Sequence, residues 1–310
     1  MQADLRPDFF VIGAMKCGTT SFANALRAHP QIFVPYEKSL NYFSVGKSPN
    51  LQPGLFPLKT RAVPTWRQYQ NAFRATLPGQ IRGDFSETSY FMEGTSARIA
   101  EACPHAKIIL LTRCPVARAY SSYNHARGHA MEPCEDFEQA FFRPETVETP
   151  PMLRYRSLGM YHQLLGAYLE SFPRKQIQVI RLEDLQRSPQ SVLRCIQDFL
   201  GVAPTELVLP TSNGASVPAG VFASTYFRQL MEVCRPTISH LTKHKSLRRI
   251  ARTVQKTAFN RPAPLPPKLS RTLSAAFAED QEALREFFDQ SNLGLESSAQ
   301  AFADRSKGNA

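Results

Sequence analysis

The stretch DFFVIGAMKCGTTS, residues 8–21, decides the fold. An apolar run over residues 9–12 has the length of a buried strand, and helical spacing of apolar residues begins at Phe22. Between them lie Gly13, a lysine and Gly18. A strand, a glycine-bracketed turn and a helix start bring backbone N–H groups and a helix N-terminus around one anionic group. The stretch therefore predicts a phosphate-binding loop.

This loop resembles a Walker A sequence but breaks its rule. The Walker A pattern is G-x-x-x-x-G-K-[ST], and here Thr19 follows the second glycine where the lysine should stand. The lysine, Lys16, lies inside the loop instead. Because no hydroxyl follows it directly, the case for a magnesium-bound nucleotide is weak. We interpret the loop as a cradle for a phosphate or phosphosulfate, held by N–H groups, Lys16 and the hydroxyls of Thr19, Thr20 and Ser21.

Charge and composition narrow the class of protein. The chain has 310 residues, of which 43% are hydrophobic, and a formal net charge of +11. This content is ample for a large core, and the charge favours a polyanionic ligand or an acidic partner. Six cysteines without C-x-x-C spacing predict free thiols in a reducing compartment. No signal peptide or spanning helix is predicted, so we expect a cytoplasmic protein.

Predicted strands and helices alternate along the chain. The clearest strand covers residues 107–112 and is almost continuously apolar, as expected at the centre of a parallel sheet. Other strands are predicted at 31–35 and 176–180. Helices are predicted between and after the strands, at 66–77, 96–102, 116–127, 137–142, 158–172, 189–200, 222–258 and 270–288. The alternation predicts an α/β fold, a P-loop-like central parallel sheet with helices on both faces.

The same pattern predicts a single domain over residues 1–310. Its core covers about residues 8–220, and a helical C-terminal extension, about 221–310, packs on that core. Within the extension, residues 243–256 form a basic amphipathic stretch. We favour a core-packed helix with a solvated charged face, and the alternative is a docking surface for an anionic acceptor or weak contact with a membrane surface.

A second anion site is predicted at the end of the 107–112 strand. Arg113 stands there, at the edge where open α/β sheets bind ligands. A nucleoside triphosphatase would carry an aspartate for magnesium at this point, whereas an arginine suits direct contact with phosphate. Ser121 follows about two helical turns later, within reach of the same anion.

Two of these segments carry a family resemblance. Residues 11–21 and 111–121 resemble the 5′-phosphosulfate loop and the 3′-phosphate segment of sulfotransferases that use 3′-phosphoadenosine 5′-phosphosulfate (PAPS). The similarity is closest to the bacterial and carbohydrate-type branch related to heparan sulfate sulfotransferases. It extends in order over most of residues 8–220.

The resemblance implies roles for individual residues. Lys16 would contact the 5′-phosphosulfate and stabilise the charge on the bridging oxygen as the sulfuryl group leaves. Arg113 and Ser121 would bind the 3′-phosphate. The loop over residues 213–218 would close over the nucleotide. The other residues predicted to contact PAPS follow the lysine or lie in that loop: Cys17, Gly18, Thr19, Thr20, Ser21, Ser216 and Val217.

The implied reaction is in-line sulfuryl transfer to a hydroxyl or amine of a carbohydrate, lipid or other small-molecule acceptor, with PAPS as co-substrate and no metal. The carbohydrate-type enzymes place a glutamate base four residues before the second residue of an aromatic pair. Counting back from Phe43 gives Ser39, which is not a carboxylate. We predict Glu37 as the general base, and the alternatives are Asp84, Glu87 and His125.

Other functions are less consistent with these motifs. A P-loop kinase or ATPase conflicts with the displaced lysine and with Arg113. A basic nucleic-acid-binding module explains the charge but not the paired phosphate motifs, and we expect no nucleic-acid partner. Histidine pairs four residues apart, at 125 and 129 and at 240 and 244, lack the glutamate of an H-E-x-x-H zinc site. The sequence predicts neither a metal site nor an oligomeric state.

Overall fold

The fold was analysed in a computed structural model of the chain. The structure describes residues 5–46, 62–129, 131–146, 148–210, 217–218, 259–260 and 262–289. The predicted helix at 222–258, with its basic stretch, therefore lies outside the described residues, as do residues 47–61.

A five-stranded sheet forms the centre of the molecule. Its order is β2-β3-β1-β4-β5, and every neighbouring pair is parallel. All five residues of β1 and the last five of β4 are buried, as their apolar sequence predicts. The strands are β1 Phe9–Gly13, β2 Ile32–Phe33, β3 Ile81–Phe85, β4 Lys107–Thr112 and β5 Ile177–Arg181.

Ten α-helices are described, together with short 3-10 turns and one π-helical turn, Tyr42–Gly46. The first five helices are α1 Thr19–Arg27, α2 Trp66–Asn71, α3 Thr95–Ala102, α4 Pro115–Gly128 and α5 Phe137–Phe142. The next five are α6 Tyr161–Ser171, α7 Leu182–Arg187, α8 Pro189–Leu200, α9 Pro267–Ser274 and α10 Ala278–Asp289. A separate antiparallel pair joins β6 Val217–Pro218 to β7 Phe259–Asn260.

The strand order places helices on both faces of the sheet. The chain moves one way from β1 to β2 and the other way from β3 through β4 to β5. Since parallel crossovers are right-handed, α1 lies on one face and the helices of the later crossovers on the other. Helices α3 and α6 pack together, as this placement requires. The predicted α/β architecture is confirmed.

The C-terminal helices pack against the core. Helix α10 lies against α6, and its Asp280 carboxylate accepts hydrogen bonds from the backbone N–H groups of His162 (3.2 Å) and Gln163 (3.0 Å). Phe277 reaches the ring of Phe141, with centroids 5.8 Å apart. Within the described residues, no helix combines the length and apolar content needed to cross a bilayer.

Three predicted helices have other bounds, and the first of them, predicted at 66–77, ends at Asn71. The predicted 158–172 helix is a 3-10 turn, Ser157–Gly159, followed by α6, because Asp280 caps the chain at its second and third helical positions. The predicted 270–288 helix is interrupted by a 3-10 turn, Ala275–Phe277. The predicted 31–35 strand is shorter, with only two residues in β2.

Candidate active site

The loop between β1 and α1 has the predicted phosphate-loop form. Gly18 stands before the first helical residue with φ of 82°, and a Cβ there would lie 2.7 Å from a methyl carbon of Leu182. Lys16 also has a positive φ, 70°, which is uncommon for a residue with a side chain. The Ala14 N–H donates to the Leu111 carbonyl at 2.8 Å and so ties the loop to β4. The loop backbone is therefore held at the carboxyl end of the sheet.

This edge is also where the strand order reverses. From β1 the chain turns toward β2 and β3, and from β4 it turns toward β5. Ligands of open α/β sheets bind in the crevice at such a reversal. The Lys16 loop follows β1, and Arg113 follows the neighbouring strand β4. Both predicted phosphate motifs thus begin at this crevice.

Lys16 and Arg113 are in direct contact. Nη1 of Arg113 donates to the Lys16 carbonyl at 3.4 Å, and both side chains are half-buried. Cys114, the next residue, donates its backbone N–H to Glu183 Oε1 at 2.9 Å, which fixes the chain where β4 ends. The structure thus brings the Arg113 guanidinium against the backbone of the loop that carries Lys16, and the sequence predicts both residues as phosphate ligands.

Charged side chains from several elements act on Lys16. Burial lowers the pKa of Lys16 below its ordinary value, and the positive charges of Arg113 and Arg118 lower it further. The Glu87 carboxylate and the Cys17 thiol act in the opposite direction. The Lys16 ammonium therefore lies within electrostatic range of two guanidinium groups and one carboxylate.

The hydroxyls after Lys16 differ in their surroundings. Thr19 is buried and donates to Oε1 of Glu87, whereas Thr20 is exposed and accepts from Nζ of Lys38 at 2.8 Å. Ser21 is buried. Two of the predicted phosphate ligands are thus already engaged by side chains from other loops.

Cys17 does not present its thiol to the site. The side chain is fully buried, with Sγ 3.4 Å from Oη of Tyr161, and burial raises the pKa of the thiol to about 12. Its backbone N–H donates to the Ala14 carbonyl at 3.2 Å. Cys17 is one of the residues predicted to contact PAPS, but its side chain packs in the core.

The structure describes part of the site predicted for the 3′-phosphate of PAPS. Ser121 is half-buried on α4, two turns beyond Arg113. The backbone of β6, which contains Val217, lies beside α4. Ser216 lies outside the described residues. The part of the 213–218 loop that is described is therefore near the predicted 3′-phosphate segment.

The four candidate bases occupy different surroundings. Glu37 is exposed and makes no hydrogen bond or ion pair with any described residue. Asp84 is buried, and its two oxygens accept from Ser86 and Tyr69, each at 2.6 Å. Glu87 lies against the phosphate loop. The ring of His125 stacks on that of His129, with centroids 4.0 Å apart.

Asp84 is part of the scaffold. Burial raises the pKa of its carboxyl, and hydrogen bonds from Ser86 and Tyr69 oppose that rise. Ser86 also accepts the Asn41 backbone N–H at 3.0 Å. Ser39, which the resemblance aligns with a glutamate base, donates its N–H to the Phe85 carbonyl at 2.7 Å. These bonds fix the 37–41 loop against the loop after β3.

Sequence reasoning assigned no role to two nearby cations. Lys38 joins Thr20 and Glu87, and its only sequence signal is its position beside Glu37. Arg118 is fully buried, although a charged residue on α4 suggests an exposed one. Its Nη2 donates to the carbonyls of Tyr155 (2.6 Å) and Arg154 (3.3 Å), whereas Nε and Nη1 have no partner. No cluster of metal-ligating side chains occurs among the residues that the structure describes.

Comparison with known proteins identifies the family. A profile of the sulfotransferase family matches residues 7–206. The chain belongs to the sulfotransferase family. This confirms the resemblance that the two phosphate motifs carry.

Relatives of this sulfotransferase include enzymes named for heparan sulfate. Human bifunctional heparan sulfate N-deacetylase/N-sulfotransferase 2 is 28% identical over 214 residues, which cover 65% of this chain and 22% of the human protein. Mouse heparan sulfate glucosamine 3-O-sulfotransferase 3B1 is 27% identical over 199 residues, which cover 63% of this chain and 46% of the mouse protein. The chain therefore spans less than half the length of these curated relatives.

A solved structure has a similar fold. The sulfotransferase from Alicyclobacillus acidocaldarius aligns with a TM-score of 0.61 and 31% sequence identity, covering 67% of this chain and 86% of that one. The aligned fold supports the sheet and crevice described above.

Proposed function

We propose that this protein transfers a sulfuryl group from PAPS to a hydroxyl or amine. The observation that carries the proposal is the contact between Arg113 and the Lys16 loop at the carboxyl ends of neighbouring strands. A nucleotide with phosphate groups at both its 3′ and 5′ positions fits two adjacent cationic sites. Family membership supports sulfuryl transfer over the kinase and nucleic-acid alternatives.

The residues divide the work by charge. Lys16 binds the 5′-phosphosulfate and offsets the negative charge that develops on the bridging oxygen as the sulfuryl group leaves. Gly18, Thr19, Thr20 and Ser21 support the 5′-phosphate at the start of α1. Arg113 and Ser121 bind the 3′-phosphate, and the 213–218 loop, with Ser216 and Val217, covers the nucleotide.

For the acceptor we propose a carbohydrate. The relatives are named for heparan sulfate, one for N-sulfation and one for 3-O-sulfation of glucosamine. A net charge of +11 suits an anionic polysaccharide.

The reducing compartment predicted from the cysteines is consistent with the free thiols of Cys17, Cys103, Cys114, Cys134 and Cys195. A cytoplasmic location and weak membrane contact through residues 243–256 stay predictions.

The proposal is tested by transfer of labelled sulfate from PAPS to desulfated heparin and to small alcohols and amines. Lys16→Ala should lower the transfer rate by about 100-fold or more, because the charge on the leaving oxygen loses its partner. The matched control is Lys175→Ala, an exposed lysine, which should transfer at the wild-type rate. Full activity of Lys16→Ala would contradict the role of Lys16. Magnesium-dependent ATP hydrolysis by the wild type, without sulfate transfer, would overturn the proposal.

A further inference from the structure

The resemblance places Ser39 where the carbohydrate-type enzymes have their glutamate base, so another group is needed to take the proton of the acceptor. Three of the four candidates are poorly placed. Asp84 is only 1% exposed and both of its oxygens already accept hydrogen bonds. Glu37 is exposed and contacts no described residue of the phosphate loop. His125 lies on α4, one turn beyond the predicted 3′-phosphate ligand Ser121.

Glu87 is the carboxylate that touches the phosphate loop. Its Oε1 accepts from the Thr19 hydroxyl and lies 3.5 Å from Nζ of Lys38. Its charge acts on the pKa of Lys16 and on that of the buried Tyr90. About a quarter of its side chain, 24%, is exposed, so it is neither sealed in the core nor free in solvent. It is thus placed between the loop and solvent.

The contacts of Glu87 conflict with a bound donor. The Thr19 hydroxyl donates its hydrogen bond to Glu87, although Thr19 is a predicted ligand of the 5′-phosphate. A phosphosulfate on the loop competes for that hydroxyl and repels the carboxylate, because like charges at contact distance are unfavourable. Lys38 can keep its ion pair with Glu87 when the bond to Thr19 is broken, because its ammonium has three donors. Donor binding therefore frees one carboxylate beside Lys16.

We propose that Glu87 is the proton acceptor of the reaction and that donor binding releases it from Thr19 for that role. The inference rests on the proposed sulfuryl transfer. In the transfer step the acceptor oxygen or nitrogen forms a bond to sulfur, and the bond from sulfur to the bridging oxygen breaks. The electron pair stays on the 5′-phosphate beside Lys16, and the acceptor proton moves to the Glu87 carboxylate. Lys38 is a positioning residue that holds the carboxylate near the loop.

The test separates donor affinity from transfer. Binding of 3′-phosphoadenosine 5′-phosphate (PAP) is measured by calorimetry, and transfer is measured with desulfated heparin, small alcohols and amines, and water as acceptors. Glu87→Gln should lower the transfer rate by about 100-fold with the best wild-type acceptor, since a positioned base contributes at least that much. It should also tighten PAP binding by roughly threefold, because a negative charge next to the phosphate is removed.

Two further variants make the test specific. Glu93→Gln, an exposed glutamate in the same region of the chain, should match the wild type in both measurements. Glu37→Gln should lose much less transfer than Glu87→Gln.

Each contrary result has its own meaning. Wild-type transfer by Glu87→Gln, or a large loss in Glu37→Gln alone, would overturn the assignment while leaving sulfuryl transfer intact. Parallel losses of PAP binding and transfer in Glu87→Gln would show a structural role and overturn it as well. Absence of PAP binding and transfer in the wild type would instead refute the proposed function.

Discussion

Two buried charged residues, Glu132 and Arg118, differ in how fully their polar atoms are hydrogen-bonded. Glu132 has a side chain that is 0% exposed, and four hydrogen bonds reach its carboxylate. Two come from Arg143, at 3.0 and 2.9 Å, one from the Tyr155 hydroxyl at 2.7 Å and one from the Cys134 N–H at 2.9 Å. This carboxylate is fully satisfied by its surroundings.

Arg118 is equally buried but much less satisfied. Its Nη2 donates to two backbone carbonyls, Nε and Nη1 have no partner, and no ion pair with a described carboxylate is formed. An uncompensated buried charge is costly unless something neutralises it. Its charge acts on Lys16, Cys17 and Tyr161 around the phosphate loop. The buried Glu132 charge therefore stabilises the fold, whereas the buried Arg118 charge adds to the positive field around the phosphate loop.

The largest expected effect is on stability, at the satisfied pair. Arg143→Met leaves the Glu132 carboxylate buried without its main partner, and the free energy of unfolding should fall by about 3–5 kcal/mol. Denaturant unfolding measures it. The matched control is Arg194→Met, which breaks an ion pair with the well-exposed Asp198 and should cost under about 1 kcal/mol. Equal losses in the two variants would remove the distinction between the buried pair and the surface pair.

A smaller effect is expected at Arg118, and on ligand binding rather than on the fold. Arg118→Met removes the buried charge, so PAP affinity should fall by about tenfold, or about 1.4 kcal/mol. Calorimetry of PAP binding checks this, and Arg127→Met on the same helix should bind PAP like the wild type. Arg118→Lys, which keeps the charge, should recover part of the affinity. Unchanged PAP binding in Arg118→Met would show that this charge serves only the fold.

The smallest expected effect is a change in pH dependence. Lys16 must be protonated for its proposed role in binding PAP. Its pKa is lowered by burial and by Arg113 and Arg118 and raised by Glu87. Affinity should therefore weaken at alkaline pH before the ordinary lysine range is reached. Arg118→Met should move this weakening to higher pH, and Glu87→Gln should move it to lower pH. Titrations of PAP affinity against pH measure both shifts, and shifts of the same sign would contradict the arrangement of charges.

Acid pH should remove the stabilisation that the buried Glu132 carboxylate gives to the fold. Burial alone raises the pKa of Glu132, but the hydrogen bonds from Arg143, Tyr155 and Cys134 outweigh it and leave the pKa below the ordinary glutamate value. Since the folded pKa is depressed, the stabilisation is present above the unfolded value of about 4.3 and is lost as the pH falls through the folded value.

The sequence by itself determined the buried strands and both cationic motifs, because each is local. A buried strand, two glycines and a lysine within fourteen residues suffice for the phosphate loop, and a central strand followed by Arg113 suffices for the second cation. Their meeting follows from a general rule, that parallel strands present their carboxyl ends at one edge.

Only the tertiary structure decided which carboxylate faces the loop and where α6 begins. Thr19 and Glu87 are 68 residues apart, and Asp280 lies 118 residues from the N–H of His162 that it caps. The sequence alone suggests that Arg118 is an ordinary helix-surface arginine. Its contact with the Tyr155 carbonyl is visible only in the tertiary structure. Contacts of this kind depend on how loops and helices from distant parts of the chain pack, and local periodicity carries no information about that packing.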